Sequence, residues 1–169
     1  MRGPLNRYLA DHLAGATFGV ELVRRCRRNN AGSAFEEPLE KLVREIEEDR
    51  RTLVEVMEAV GAKASRTKTT GAWLFEKARR LKPNGRLFEY TPLSRVLELE
   101  ALATGIAGKR ALWRALDEVD LGSSRAGGFD FSELTRRAED QRDAVEALRL
   151  QAARLAFEPG SDSDRDGCG

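Results

Sequence analysis

Several polar side chains fall on the apolar faces of predicted helices, and their chemistry needs an explanation. Between Pro38 and Val60 apolar residues recur at helical spacing, but Arg50 takes the inward position between Ile46 and Leu53. A charge that is buried away from water needs partners on neighbouring helices. The same reasoning along the chain predicts a buried polar layer made of Arg50, Glu47, His12, Arg110, Glu139 and Gln141.

The expected contacts within this layer follow from side-chain geometry. Arginine can hold a carboxylate with two parallel hydrogen bonds, because its guanidinium is a planar fork of donors. Glu139 is the expected partner of Arg110, and Glu47 or an acid from a facing helix is the expected partner of Arg50. His12 comes level with Arg50 when the first helix folds back on the second. It is interpreted as a hydrogen-bonded bundle histidine, the alternative being a metal ligand or catalytic base.

Four amphipathic stretches must position these residues. They predict helices at about residues 4–29, 36–60, 92–119 and 130–157. The links between helices one and two and between helices three and four are short, which predicts two antiparallel hairpins. The link over residues 61–91 is long enough to traverse the bundle, so helices two and three are expected to be parallel.

Composition limits the class of protein. The sequence predicts one all-α domain over residues 1–158 and a disordered tail over residues 159–169, rich in Ser, Asp and Gly, which is expected to be dispensable from Gly160 onward. The net charge of +1 gives the whole molecule no electrostatic preference for nucleic acid or membranes. Two distant cysteines form no disulfide framework or zinc motif, and no signal-peptide core or long apolar run is present. A cytoplasmic location is therefore expected.

The long link has a charge of its own. From Ala62 to Phe88 it carries eight basic residues and a single acid, Glu76, so the rest of the chain is net negative. One interpretation is that its apolar residues cap the bundle while its cations pair with acidic helices. The alternative is contact with an anion, a nucleic acid or a membrane surface, since cations and aromatic rings together serve such contacts. The residues for that contact are Lys63, Arg66, Lys68, Trp73, Lys77, Arg79, Arg80 and Lys82.

The segment FEEPLEKLVREIEEDRRTLVEVMEAVG, followed by a long crossover, resembles small bacterial members of the ferritin-like superfamily. The resemblance implies a four-helix bundle with one crossover and, in metal-binding members, a Glu from each of two helices with Glu-x-x-His from the other two. This chain departs from that pattern. It has Glu47-x-x-Arg50 and Glu139-x-x-Arg142 at the nearest matches, and arginine offers a metal no lone pair.

The departure predicts that the chain needs no metal or other cofactor. An atypical site would have to use the carboxylates of Glu21, Glu47, Glu100 and Glu139. Folding helix three back on helix four places Glu100 level with about residue 150, far from Glu139, so the register also argues against this site. The alternative function is that of an iron- or manganese-dependent oxidoreductase or an iron-handling protein.

The expected function is instead that of a non-enzymatic bundle acting through protein association, with a homodimer as the expected assembly. Small residues in helices one and three would allow close helix contact within or between subunits. They are Gly15, Ala16, Gly19, Ala101, Ala103, Gly105 and Gly108.

Overall fold

The computed structural model describes residues 3–62, 90–119, 121 and 128–158. These residues form four α-helices and no strand, which confirms the all-α prediction. The predicted crossover residues 63–89 and the tail from residue 159 onward lie outside the described residues. The helices are α1 (Pro4–Asn29), α2 (Glu36–Ala59), α3 (Pro92–Glu118) and α4 (Phe131–Phe157).

The helices begin and end where local chemistry satisfies their free backbone groups. At the start of α3 the Thr91 hydroxyl accepts a hydrogen bond from the Ser94 backbone N–H at 3.2 Å, and the Ser94 hydroxyl accepts one from the Thr91 backbone N–H at 3.4 Å. At the start of α4 the Asp130 carboxylate accepts from the Glu133 N–H at 2.9 Å. The end of α2 is closed by Gly61, whose φ of 67° is left-handed.

Ion pairs show how the helices run relative to one another. Arg24 lies 2.8 Å from Glu47, and three residues later Arg27 lies 3.9 Å from Glu36, so α1 and α2 are antiparallel. Helices α3 and α4 are also antiparallel, since Arg110 meets Glu139 while Arg149 meets Glu100. The most extensive packing is between α3 and α4, and α1 packs against both α2 and α3.

Contacts at one end of the bundle relate the two hairpins. The Arg95 guanidinium near the start of α3 lies 4.5 Å from the centre of the Phe35 ring, directly before α2. The starts of α2 and α3 are therefore at the same end of the bundle. A single apolar core lies between the four helices, and its largest fully buried side chain is Trp113, stacked on Phe131 at 6.1 Å between ring centres.

Among the described residues, the helical glycines do not serve close packing. A Cβ atom built at Gly15, Gly19, Gly105 or Gly108 would have no neighbouring atom within 4 Å apart from its own helix backbone. The prediction that these four glycines allow close contact between helices of one subunit is therefore wrong, because the neighbouring helices do not come close to them. Close contact at these glycines between two subunits stays a prediction.

The glycines of the first hairpin give opposite expectations for alanine substitution. Gly61→Ala should destabilise the fold by about 1 kcal/mol, because the left-handed cap strains any residue with a Cβ. Gly15→Ala should stabilise it by up to about 1 kcal/mol, because alanine is the better helix former and has space. Urea denaturation monitored by circular dichroism measures both, and a loss of stability in Gly15→Ala would mean that another surface does approach this glycine.

Candidate functional site

A buried carboxylate, Asp49 of α2, lies at the centre of the bundle between the apolar side chains of Ile46 and Leu53. Only 4% of Asp49 is exposed. Its Oδ2 accepts hydrogen bonds from Lys109 Nζ of α3 and, at 3.1 Å, from Gln141 Nε2 of α4. Its Oδ1 accepts from Arg137 Nη2, also of α4. One carboxylate therefore joins three helices.

Other hydrogen-bonding groups of this cluster also find partners, except Arg137 Nε, which is buried and has none among the described residues. Lys109 Nζ donates to Gln141 Oε1, so the Gln141 amide both donates and accepts. Arg137 reaches outward as well, with Nη1 at 3.2 Å from Glu48 Oε1 at the surface. We call Asp49, Lys109, Arg137 and Gln141 the central layer. Two cations meet one buried anion here, and Glu48 balances the second cation.

Burial and charge act in opposite directions on the two cations. Removal from water is the largest effect on Lys109 and lowers its pKa, although the charge and hydrogen bond of Asp49 oppose the shift. For Arg137 burial also disfavours the charge, but its hydrogen bond to Asp49 and the charges of Asp49 and Glu48 outweigh burial and raise its pKa. Within the central layer Asp49 therefore stabilises both cations, while burial opposes the charge of each and the charge of Arg137 also opposes that of Lys109.

A second polar network lies near the end of the bundle where α1 ends and α3 begins. The Glu98 carboxylate of α3 is almost fully buried and accepts from Arg25 Nε at 2.8 Å. It also accepts from Asn29 Nδ2 at 3.2 Å and from the Tyr90 hydroxyl at 3.1 Å. Burial and the charge of Glu98 raise the pKa of the Tyr90 hydroxyl, which therefore keeps its proton and donates it to this bond.

Asn30, which is buried, extends this network to Cys26. Its Nδ2 donates to the Tyr90 hydroxyl at 2.9 Å and to the Cys26 carbonyl at 2.7 Å, while its Oδ1 accepts from Arg95 Nε. The Cys26 thiol is fully buried beneath these groups. Burial, with the nearby charge of Glu98, raises the pKa of the thiol well above its usual range. A thiolate nucleophile is therefore strongly disfavoured at this position.

The expected pair of Arg110 and Glu139 is present, with 2.7 Å between Nε and Oε1. Its expected burial is wrong, because these side chains are 32% and 41% exposed. The cation at the centre is the preceding residue, Lys109, and successive residues point about 100° apart around a helix. Gln141 does lie in the centre, as expected.

The expected partners of Arg50 and Glu47 are wrong. Arg50 Nε donates to the Thr17 hydroxyl of α1 at 3.1 Å, at the surface between the two helices. Glu47 accepts from Arg24 Nε at 2.8 Å instead. The structure also places His12 outside the central layer, against Tyr8, with 4.5 Å between ring centres.

Sequence reasoning missed Asp49, Lys109 and Arg137. For Asp49 the signal was available in the spacing of α2. Its buried residues Leu39, Leu42, Ile46, Asp49, Leu53 and Val56 follow one another at alternating steps of three and four. Arg50 breaks that alternation, since it would require two successive steps of four.

The carboxylates considered for an atypical metal site each lie beside an arginine. Glu21 and Glu47 both contact Arg24, at 3.2 and 2.8 Å. Glu100 lies 3.5 Å from Arg149, and Glu139 pairs with Arg110 as described above. Among the described residues no group of three His, Cys, Asp or Glu side chains could hold a metal ion. The basic residues considered for anion contact, from Lys63 to Lys82, lie outside the described residues.

Comparisons of the chain with protein-family models, with curated proteins and with solved structures find no match. Within the residues that the structure describes, no helix has the length and apolar character needed to cross a membrane.

The buried carboxylate Asp49 of α2 and the solvated carboxylate Glu139 of α4 should differ in how much stability their removal costs. Asp49→Ala should cost about 3–5 kcal/mol of unfolding free energy, because it leaves two cations facing a buried position without their anion. Glu139→Ala is the control and should cost at most about 1 kcal/mol, because that pair is well solvated. Urea denaturation at neutral pH compares them. Equal losses in the two variants would show that Asp49 is not the buried partner.

The pH response of His12 provides a separate test. Burial is the larger effect and lowers its pKa from 6.5, with the charge of Asp11 opposing. As the pH falls, His12 becomes protonated at a higher pH in the unfolded chain than in the folded chain. Folding stability should therefore fall as the pH decreases from 6.5 to the folded pKa. The stability difference between the native chain and His12→Gln should change over this window. Proton NMR of the single histidine gives the folded pKa directly, and a value above 6.5 would contradict the assignment.

Proposed function

We propose that this chain is a metal-free, ferritin-like helical bundle that acts by associating with another protein chain and not by catalysis. The observation that carries the proposal is the Lys109 ammonium held in the middle of the bundle by Asp49 and Gln141. In metal-binding bundles of this class, carboxylates and histidines project inward to surround a cation. Here the Lys109 ammonium of the chain itself takes the position that a metal cation has in those bundles.

The chemistry of the central layer disfavours a divalent ion at this position. Both Asp49 oxygens accept hydrogen bonds from cationic side chains, Lys109 on one and Arg137 on the other. A metal ion would have to displace the ammonium and then sit close to the guanidinium, which remains charged and offers no lone pair. The Gln141 oxygen, a further donor atom that a metal could use, accepts from Lys109.

The directions of the helices support the ferritin-like part of the proposal. The starts of α2 and α3 lie at the same end of the bundle, so the end of α2 and the start of α3 are separated by about the length of α2. That length is about 36 Å at 1.5 Å per residue. One long return between two antiparallel hairpins is the connectivity of ferritin-like bundles.

A non-catalytic role also agrees with the state of the other reactive groups described. The Cys26 thiol is buried and its pKa is raised, which opposes nucleophilic chemistry. The Glu98 carboxylate is held by Arg25, Asn29 and Tyr90. The buried charges described here are therefore paired with one another. The outward-facing surfaces are left for contact with another protein chain.

Metal analysis tests the proposal directly. Protein purified without chelator should contain less than stoichiometric iron, manganese and zinc, and added Fe²⁺ or Mn²⁺ should leave the melting temperature unchanged. Both results follow because Lys109 already neutralises Asp49. Asp49→Asn is the matched control if metal is found. Metal that disappears in this variant would place a metal site in the central layer, and stoichiometric metal that remains would place one elsewhere; either result would defeat the metal-free proposal.

A further inference from the structure

The side-chain nitrogen of Lys109 lies between an amide and a carboxylate inside the central layer. Its Nζ donates hydrogen bonds to Gln141 Oε1 and to Asp49 Oδ2. The same Asp49 oxygen accepts a hydrogen bond from Gln141 Nε2 at 3.1 Å. The three side chains therefore form a closed ring, in which one carboxylate oxygen contacts both the lysine nitrogen and the amide nitrogen.

We propose that Lys109 and Gln141 react with each other and form an isopeptide bond, which links α3 covalently to α4. The lone pair of Lys109 Nζ attacks Gln141 Cδ. The Nζ–Cδ bond forms, the Cδ–Nε2 bond breaks, and the departing nitrogen leaves as ammonia. The reaction exchanges one amide for another, so it requires no oxidant, reductant or cofactor.

The position of Asp49 suits the proton transfer that this exchange requires. Nζ loses a proton when it becomes an amide nitrogen, and Nε2 gains one when it leaves as ammonia. Asp49 Oδ2 accepts hydrogen bonds from both nitrogens, so it can take the proton from Lys109 and give it to the leaving group. Asp49 acts first as the base and then as the acid, and it ends the reaction ionised, as it began.

The hydrogen bond between Lys109 and Gln141 also brings the reacting atoms together. Gln141 Cδ is bonded directly to the oxygen that Nζ contacts, and that C=O bond is about 1.2 Å long. Rotation about the last torsions of the lysine side chain moves Nζ from this oxygen to the face of the amide. Well-oriented groups held in this way react as if one of them were present at about 10⁵–10⁸ M.

Only a neutral amine can attack, and the surroundings of Lys109 increase its neutral fraction. Burial is the largest effect and lowers the pKa of Lys109, and the charge of Arg137 lowers it further, although Asp49 and Glu45 oppose the shift. The central layer holds two cations and one buried anion. When Lys109 loses its proton, Asp49 remains paired with Arg137.

Asp49 is the alternative partner for the Lys109 nitrogen, but its charge disfavours that reaction. Arg137 Nη2 donates to Asp49 Oδ1, and this cation favours the ionised carboxylate. An ionised carboxylate resists attack by an amine, because its negative charge repels the incoming lone pair. The Gln141 amide is neutral, so its carbonyl carbon is the better target.

Arg137 offers a further group to this reaction. It lies one turn before Gln141 on α4, and its buried Nε has no partner among the described residues. Attack on the Gln141 amide places negative charge on its oxygen. A positively charged donor on the same side of the helix can stabilise that charge as it develops.

The bond is compatible with a metal-free bundle and goes beyond that proposal. In the linked chain the Lys109 nitrogen is a neutral amide nitrogen, whose N–H can still donate to Asp49. Arg137 then supplies the positive charge that neutralises Asp49. An amide nitrogen is a poor metal ligand because its lone pair is delocalised, so the link leaves no vacancy for a cation.

Mass spectrometry of the denatured native chain tests the proposal. The intact mass should be lower than that of the sequence by one molecule of ammonia. Trypsin should release a branched peptide in which residues 96–110 are joined to residues 138–142, because linked Lys109 is no longer a cleavage site. Asn84, which precedes Gly85, can also lose ammonia by cyclising, but that reaction leaves these two peptides separate.

Variants test the roles of the two reacting partners of Gln141. Lys109→Arg removes the nucleophile, and Asp49→Asn removes the proton carrier while keeping its shape, so neither variant should yield the branched peptide. Lys41→Arg is the control and should keep the link, because Lys41 is an exposed lysine 3.7 Å from Glu45 with no role in the ring. Circular dichroism checks that each variant keeps its helical content, and the result for the native chain depends on no variant.

Three outcomes would overturn the inference. They are a native chain of full mass, a loss of ammonia without the branched peptide, and a loss of water with Lys109 joined to Asp49. A link that still forms fully in folded Asp49→Asn would reject the role of Asp49 in the reaction. Failure here is distinguishable from failure of the proposed function, because an unlinked chain without metal rejects only this inference, whereas stoichiometric metal rejects the metal-free proposal.

Discussion

The burial of the Asp49 carboxylate is the constraint on which the arrangement of α2, α3 and α4 depends. A carboxylate loses several kcal/mol of hydration when it leaves water, and only well-placed partners offset that loss. Its partners come from two other helices, Lys109 from α3 and both Arg137 and Gln141 from α4. Sliding either helix by one turn, about 5.4 Å, would break these contacts, whereas apolar side chains could repack. The central layer therefore selects one register.

The network around Glu98 selects the register of α1 against α3, as the central layer does for α2, α3 and α4. Arg25 and Asn29 of α1 hold the carboxylate of α3, and Asn30 and Tyr90 lie beside it in the connecting segments. Apolar packing brings the helices together, but it discriminates poorly between similar registers. Two polar networks at different depths of the bundle supply that discrimination.

The helices could be predicted from the sequence because their signals are local. Apolar spacing and caps such as Thr91 and Asp130 gave bounds that agree with the structure to within about a residue. The central layer was harder, since Asp49 and Arg50 are adjacent polar residues and hydropathy does not separate them. Lys109 and Arg110 present the same ambiguity on α3. The regular alternation of buried positions resolves the first pair, but the partner helices, distant in sequence, are needed to resolve the second.

Because the Cys26 thiol is fully buried, its rate of chemical modification measures how often this end of the bundle opens. A thiol-modifying reagent can reach Sγ only when the packing around it opens, since Cys26 is fully buried and the Asn30 amide lies 3.9 Å from Sγ. If opening is rare and reclosure is fast, the modification rate is proportional to the population of the open form. The chain thus contains a natural probe that separates fraying of this end from unfolding of the whole bundle.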